Sequence, residues 1–144
     1  HINEASYSPE ERAELIRNIE DSDVDYVADI GYDLASSKLA VEHAAQYPWC
    51  YAVVGCHPHD AKSMDDMELA MYKGLARKKK VVAIGEIGLD FHYDHSPRDI
   101  QREWFRRQIR LANQLKMPIV IHSREADQET MDILKEEFII LKLL

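Results

Sequence analysis

Short apolar runs alternate with longer amphipathic stretches along this chain. The runs at 24–30, 51–54, 81–87 and 118–121 are rich in Val and Ile and too short for helices, which predicts strands; a further strand is expected across 138–144. Between them, apolar positions recur at helical spacing. Ser8-Pro9-Glu10-Glu11 opens a helix to about Glu20, with Ser8 as cap, Pro9 in the first turn and acids at the positive end of the dipole. A second helix opens at Asp33 or Ser36-Ser37 and stops before Pro48. A third covers 65–80 and ends in Arg77-Lys78-Lys79-Lys80, a run that suits a solvated helix C-terminus better than a DNA patch. The longest begins at Ser96-Pro97 and reaches about Lys116; its spacing assigns Trp104 and Phe105 to the core rather than to a base-stacking surface. The last spans 125–137.

Strands and helices that alternate with short linkers predict parallel strands joined by right-handed crossovers, with the helices outside. No repeat, low-complexity segment or linker marks a second domain. The length of 144 residues suits one domain but falls short of the ~250 residues of a complete eight-unit barrel. The formal charge of −8, from 18 basic and 26 acidic side chains, argues against bulk electrostatic binding of duplex nucleic acid. A nucleic-acid enzyme stays compatible with it, because bound divalent cations invert the local field. No apolar stretch reaches the ~18–20 residues of a membrane helix, and the polar opening carries no signal-peptide pattern. Cys50 and Cys56 read as reduced thiols of a cytoplasmic protein.

The candidate chemistry lies at the strand ends. Gly85-Glu86-Ile87-Gly88-Leu89-Asp90-Phe91-His92 places a carboxylate, Glu86, at the end of the 81–87 run. His122 closes the 118–121 run, and the 51–54 run leads into Gly55-Cys56-His57-Pro58-His59. Polar groups that end several buried strands at one mouth have the layout of an α/β-barrel site, and Glu with His there suggests a divalent metal. Gly85 and Gly88 permit close backbone approach. His57 and His59 are spaced either to chelate a metal or to hydrogen-bond a phosphate. Arg124 is placed either as a fork for phosphate or carboxylate or as half of a surface ion pair. Asp90 is placed to orient a ligand histidine. His92, Asp94 and His95 fall in a loop and read as solvated. No Walker or dinucleotide loop and no G-x-S-x-G elbow is present.

The run from Gly85 to Tyr93, with the His57 motif upstream and Pro118-Ile119-Val120-Ile121-His122-Ser123-Arg124 downstream, resembles the TatD-type metal-dependent deoxyribonucleases of the amidohydrolase-like superfamily. Gln101 to Gln114, with Phe105, Gln108 and Leu111-Ala112, is similar to the family helix before the histidine strand. The resemblance implies a TIM-like barrel that hydrolyses phosphodiester bonds with two divalent ions, Mg²⁺ first, Mn²⁺ or Zn²⁺ as alternatives. It implies Glu86 as the catalytic, metal-bridging carboxylate, His122 as a second ligand, and His1, followed by Ile2-Asn3, as the second histidine of an H-x-H motif. His57, His59 and Arg124 would hold the phosphate at single-stranded DNA ends cut 3′ to 5′. The other family ligands have no match here, and the tail after 137 does not resemble the family. The expectation is therefore a partial barrel over 1–144, a single incomplete domain of about four to five βα units out of eight, lacking the first strand and the C-terminal units. An amide, ester or lactone hydrolase and an inactive fragment are the alternatives. No membrane partner is expected, and the oligomeric state is left open.

Overall fold

The computed structural model describes residues 1–139. Within them four parallel strands, β1 (Val27–Ile30), β2 (Cys50–Val54), β3 (Val81–Asp90) and β4 (Ile119–Arg124), lie side by side in chain order. The helices are α1 (Pro9–Glu20), α2 (Leu34–Gln46), α3 (Asp66–Ala76), α4 (Arg98–Leu115) and α5 (Asp127–Glu137), and a 3₁₀ turn covers Pro58–Ser63. Right-handed crossovers that always step the same way put the connecting helices on one face of the sheet. A strand order that never reverses has no switch point, so the sheet forms part of a barrel wall rather than a doubly wound layer. This is the expected partial α/β barrel, with four strands among the described residues. Its curl shows in one hydrogen bond: the Glu86 N–H reaches past β2 to the Gly31 carbonyl, just beyond β1, at 2.9 Å. The strand expected across 138–144 lies, from residue 140 onward, outside the described residues.

The helix starts follow their caps. Ser8 Oγ accepts from the Glu11 N–H at 3.1 Å, Asp33 and Ser36 form a reciprocal capping box, and Asp65 accepts from the Glu68 N–H at 2.8 Å. Ala52 and Val54 of β2 and Ile84, Ile87 and Leu89 of β3 pack with Trp104, Phe105, Ile109 and Ala112 of α4 in one buried cluster. Trp104 and Phe105 are core residues, as their spacing indicates.

The departures have local causes. β1 begins at Val27, and Val24 and Tyr26 are exposed before the ladder forms. α3 ends at Ala76 rather than at residue 80. Lys80 instead turns back with φ +67° and donates from Nζ to the Ala44 and Tyr47 carbonyls at 2.6 and 2.8 Å. One charge of the basic run thus caps the C-terminus of α2, its neighbour. β3 runs on to Asp90 and β4 to Arg124, because their ladder continues through Gly88↔His122 and Asp90↔Arg124. Glu86 and His122 therefore stand inside strands, not at their last residues. Between Ile84↔Ile119 and Ile87↔Ile121, β3 contains one more residue than β4, a bulge over Gly85-Glu86 that re-aims the side chain. At Gly88, φ is +150° and a Cβ would come within 1.8 Å of the His122 carbonyl oxygen, so the close contact with β4 requires glycine.

α5 is pinned to α4 by ion pairs. Arg106 donates to Glu136 and Glu137 at 2.7 and 2.9 Å, and Arg110 donates to Glu137 at 2.8 Å. The hydrogen bonds from Arg110, then Arg106, bring the Glu137 carboxyl down to about 2 against the effect of burial. A carboxyl lowered in the folded state stabilises above its unfolded value, and that contribution fades as pH falls through the folded one. Glu137→Gln should therefore cost about 1 kcal/mol near neutral pH, discounted because both arginines face solvent. The gap to the parent chain should close as pH falls from 4.5 toward about 2, followed by urea denaturation. A gap constant with pH would contradict the assignment.

Candidate metal centre

The centre is organised around Asp90, the last residue of β3, whose side chain is buried. Its Oδ2 accepts from His59 Nε2 at 3.0 Å and from His122 Nε2 at 2.9 Å. Its Oδ1 accepts from the backbone N–H groups of His92 and Tyr93 at 3.1 and 3.0 Å. Burial opposes ionisation, but the Tyr93 N–H and the imidazoles of His122 and His59 outweigh it and hold the carboxyl well below the usual range. Gln101 of α4 grips the same residue's backbone: its Oε1 accepts from the Asp90 N–H at 2.8 Å and its Nε2 donates to the Asp90 carbonyl at 3.0 Å. Two helical turns further, Gln108 does the same for Cys56, at 2.8 and 3.1 Å.

His122 Nε2 donates to Asp90, so its Nδ1 is left facing Glu86 Oε1 at 3.3 Å. The hydrogen bond to Glu86 raises the His122 imidazole above its ordinary value, and the same bond lowers Glu86. On the other side of Glu86, His1 Nε2 lies 4.0 Å from Oε2. His1 Nδ1 donates to the Ile30 carbonyl at 2.7 Å, which leaves Nε2 as the lone-pair nitrogen. Asp29 of β1, fully buried, clamps the segment that carries His1. Its Oδ1 accepts from the Ile2 and Asn3 N–H groups at 2.8 and 3.3 Å, and its Oδ2 accepts from His43 Nδ1 at 2.7 Å.

His57 follows β2. Burial, then the charge of His122 and His59, lowers its imidazole to about 4, so it is neutral. Its Nδ1 accepts from the His59 N–H at 3.1 Å, which makes Nε2 the N–H donor. His57, His59 and His122 form a cluster whose ligand atoms lie within 4.8 Å of one another. A cleft of about 210 Å³ opens beside them, lined by His1, Glu4, Tyr32, His57, Asp60 and Glu86. Arg124 lies over the Tyr93 ring, 4.9 Å from its centroid, and the described residues include no ion pair for it. His92, Asp94 and His95 are exposed, as read from the loop; His92 pairs with Glu125 and Asp94 with Arg98, each at 2.9 Å. A larger cleft of about 500 Å³ between Phe91, Arg98, Arg102 and the start of α5 holds paired ions rather than converging ligand atoms. Cys50 and Cys56 are free and buried; burial pushes Cys50 up to about 11 and Cys56 higher still.

The donor set suits a divalent cation. Glu86 offers both oxygens, and each flanking histidine has its second nitrogen engaged, His1 by Ile30 and His122 by Asp90. Such engagement fixes the ligand tautomer. His122 Nδ1 and Glu86 Oε1 are both intrinsic acceptors, so their 3.3 Å approach needs a proton or a cation between them. The structure thus brings together His1, Glu86 and His122, with His57 and His59 adjoining, and turns Arg124 onto Tyr93. Sequence reasoning missed Asp29 and His43, and took Gln101 and Gln108 only as part of a family-like helix, not as clamps. The available signals were an acid inside the apolar β1 run, and glutamines at i and i+7 on the apolar stripe of α4.

Wall and mouth together define part of an α/β barrel with a histidine- and carboxylate-rich centre, a class suited to holding divalent metals. A family model described as TatD related DNase matches residues 1–139, and the chain belongs to that family. It is 42% identical over 137 residues to the uncharacterized metal-dependent hydrolase YabD of Bacillus subtilis, covering 95% of this chain and 53% of that protein. It is 36% identical over 124 residues to the 3′-5′ ssDNA/RNA exonuclease TatD of Cronobacter turicensis, covering 86% and 47%. The solved structure of YjjV, a TatD homolog from Escherichia coli K12, superposes with a TM-score of 0.83 at 28% identity, over 95% of this chain and 53% of that one. The chain spans about half the length of the curated relatives it matches. None of the described helices is long and apolar enough to cross a membrane.

Removing the Asp29 carboxylate leaves His43 and two backbone N–H groups without their buried partner. Asp29→Ala should therefore cost roughly 3 kcal/mol in denaturant unfolding. A loss below about 1 kcal/mol would show that the clamp is not structural.

Proposed function

We propose that the protein carrying this half-barrel is a divalent-metal-dependent hydrolase that cleaves phosphodiester bonds at single-stranded DNA ends, from 3′ to 5′. One observation carries the reading: Glu86 lies between His122 Nδ1 at 3.3 Å and His1 Nε2 at 4.0 Å, and each histidine is fixed from behind. Family membership and its similarity to a metal-dependent hydrolase and to a 3′-5′ ssDNA/RNA exonuclease support it. Glu86, with His1 and His122 on either side of it, would hold the divalent metal, Mg²⁺ first. The remaining ligands come from the span that the relatives have beyond this half. A divalent ion held there would supply Lewis-acid charge and make a bound water more acidic.

The chain's own residues bind and orient the substrate. His57, neutral and with Nε2 as its N–H donor, suits a phosphate oxygen better than a cation. This favours His1, Glu86 and His122 as ligands over the cluster of three imidazoles. Arg124 is a further phosphate contact; His59, whose Nε2 donates to Asp90, joins it only as the imidazolium, with Nδ1 then a donor. The cleft of about 210 Å³ beside these residues has room for a phosphodiester unit. Two buried free thiols fit a reducing cytoplasm.

A protein of the relatives' length should shorten labelled single-stranded DNA with Mg²⁺ or Mn²⁺ and stop with chelator. Glu86→Ala should reduce turnover by roughly 100-fold or more while the melting temperature stays close to the parent's. The 144-residue chain by itself, with three of the implied ligands, should show little turnover. Undiminished activity in Glu86→Ala, or chelator-sensitive activity of the short chain equal to the longer protein's, would contradict the ligand assignment. Turnover of esters, amides or lactones without turnover of DNA would reassign the substrate.

A further inference from the structure

We propose that Tyr93 is a base-stacking platform, taking the nucleobase of an unpaired strand next to the phosphate at His57 and His59. The inference rests on the nuclease reading and adds the group that recognises the substrate. Tyr93 lies in the loop between β3 and α4 and is 51% exposed in this half-barrel.

The ring is held in place rather than free. Its backbone N–H donates to Asp90 Oδ1 at 3.0 Å, and the other oxygen of that carboxylate holds His59 and His122. The loop is tied on both flanks, by His92 to Glu125 and by Arg98 to Asp94, each at 2.9 Å. The platform is therefore pre-organised, and a ligand need not order it.

Its neighbours are planar. The His95 ring lies parallel to it, 10° off at 5.1 Å, and His59 meets it edge-on at 5.7 Å between centroids. The Arg124 guanidinium sits 4.9 Å from the ring centroid. His95 and Arg124 take part of the ring's surface, and the part left exposed, 5.7 Å from the His59 ring between centroids, is what a base would stack on without sequence preference. In a duplex the faces of a base are already stacked, so only an unpaired end can use it.

The test compares a fluorescent oligothymidylate with a strand of identical backbone whose three 3′-terminal residues are abasic. Anisotropy titrations use the protein of the relatives' length with chelator to stop hydrolysis. The parent should bind the base-bearing strand about tenfold tighter or more, equivalent to about 1.4 kcal/mol. Tyr93→Phe should keep that ratio and Tyr93→Ala should bring it to within about twofold of unity. Equal affinity for both strands in the parent, no binding of either, or a ratio untouched by Tyr93→Ala overturns the platform. Hydrolysis of both strands with metal, followed in parallel, separates the two readings. Base discrimination in binding without hydrolysis sinks the nuclease assignment alone, whereas hydrolysis without base discrimination sinks the platform alone.

Discussion

The structure depends on a buried carboxylate that is fully answered. Asp90 accepts from two imidazoles and two backbone N–H groups. A bare carboxylate at this depth costs several kcal/mol, and these donors are what make it tolerable. In offsetting that cost they do three things. They end β3 and turn the chain into the loop that holds Tyr93. They fix the tautomer of His122, so that Nδ1 faces Glu86. They tie His59, which arrives from β2, to the end of β3.

The same device recurs across the wall. Asp29 closes the end of β1 around the segment that carries His1, and Gln101 and Gln108 of α4 clamp the backbone at Asp90 and Cys56. Each buried polar side chain joins a strand end to a neighbouring element. The candidate ligands consequently stand on strands or on clamped segments, which position them more tightly than free loops. The bulge at Gly85-Glu86 and the Gly88 contact with the His122 carbonyl set how the Glu86 side chain meets β4.

Much of this was legible in the sequence because period and punctuation are local. The alternation of apolar runs and helical stretches gave the parallel wall, Ser8 marked its helix start, and Asp33 was one of two candidates for the next. Glu86 and His122 stood out as polar residues closing apolar runs, although both lie inside longer strands. The strand ends were misplaced because Asp90, Ser123 and Arg124 are polar, and only the ladder, a non-local pairing, keeps them in the sheet. Lys80 looked like part of a solvated tail because the carbonyls it caps belong to a different helix. The clamping roles of Asp29, His43 and the two glutamines were not legible for the same reason: their partners lie 11 to 52 residues away and are set by the fold, not by local pattern. Tyr93 was read only as part of the family motif, since its exposure and its arginine neighbour exist only in three dimensions.

The central claim is that Glu86 is the metal carboxylate and that His1 and His122 flank it. The most direct measurement is an anomalous difference map from crystals of the protein grown with Mn²⁺. The account predicts a peak in contact with Glu86 and His122 on the side facing His1 Nε2, with Asp90 still bonded to His122 Nε2. A peak held by His57, His59 and His122 without Glu86, or no peak at the barrel mouth, would contradict it.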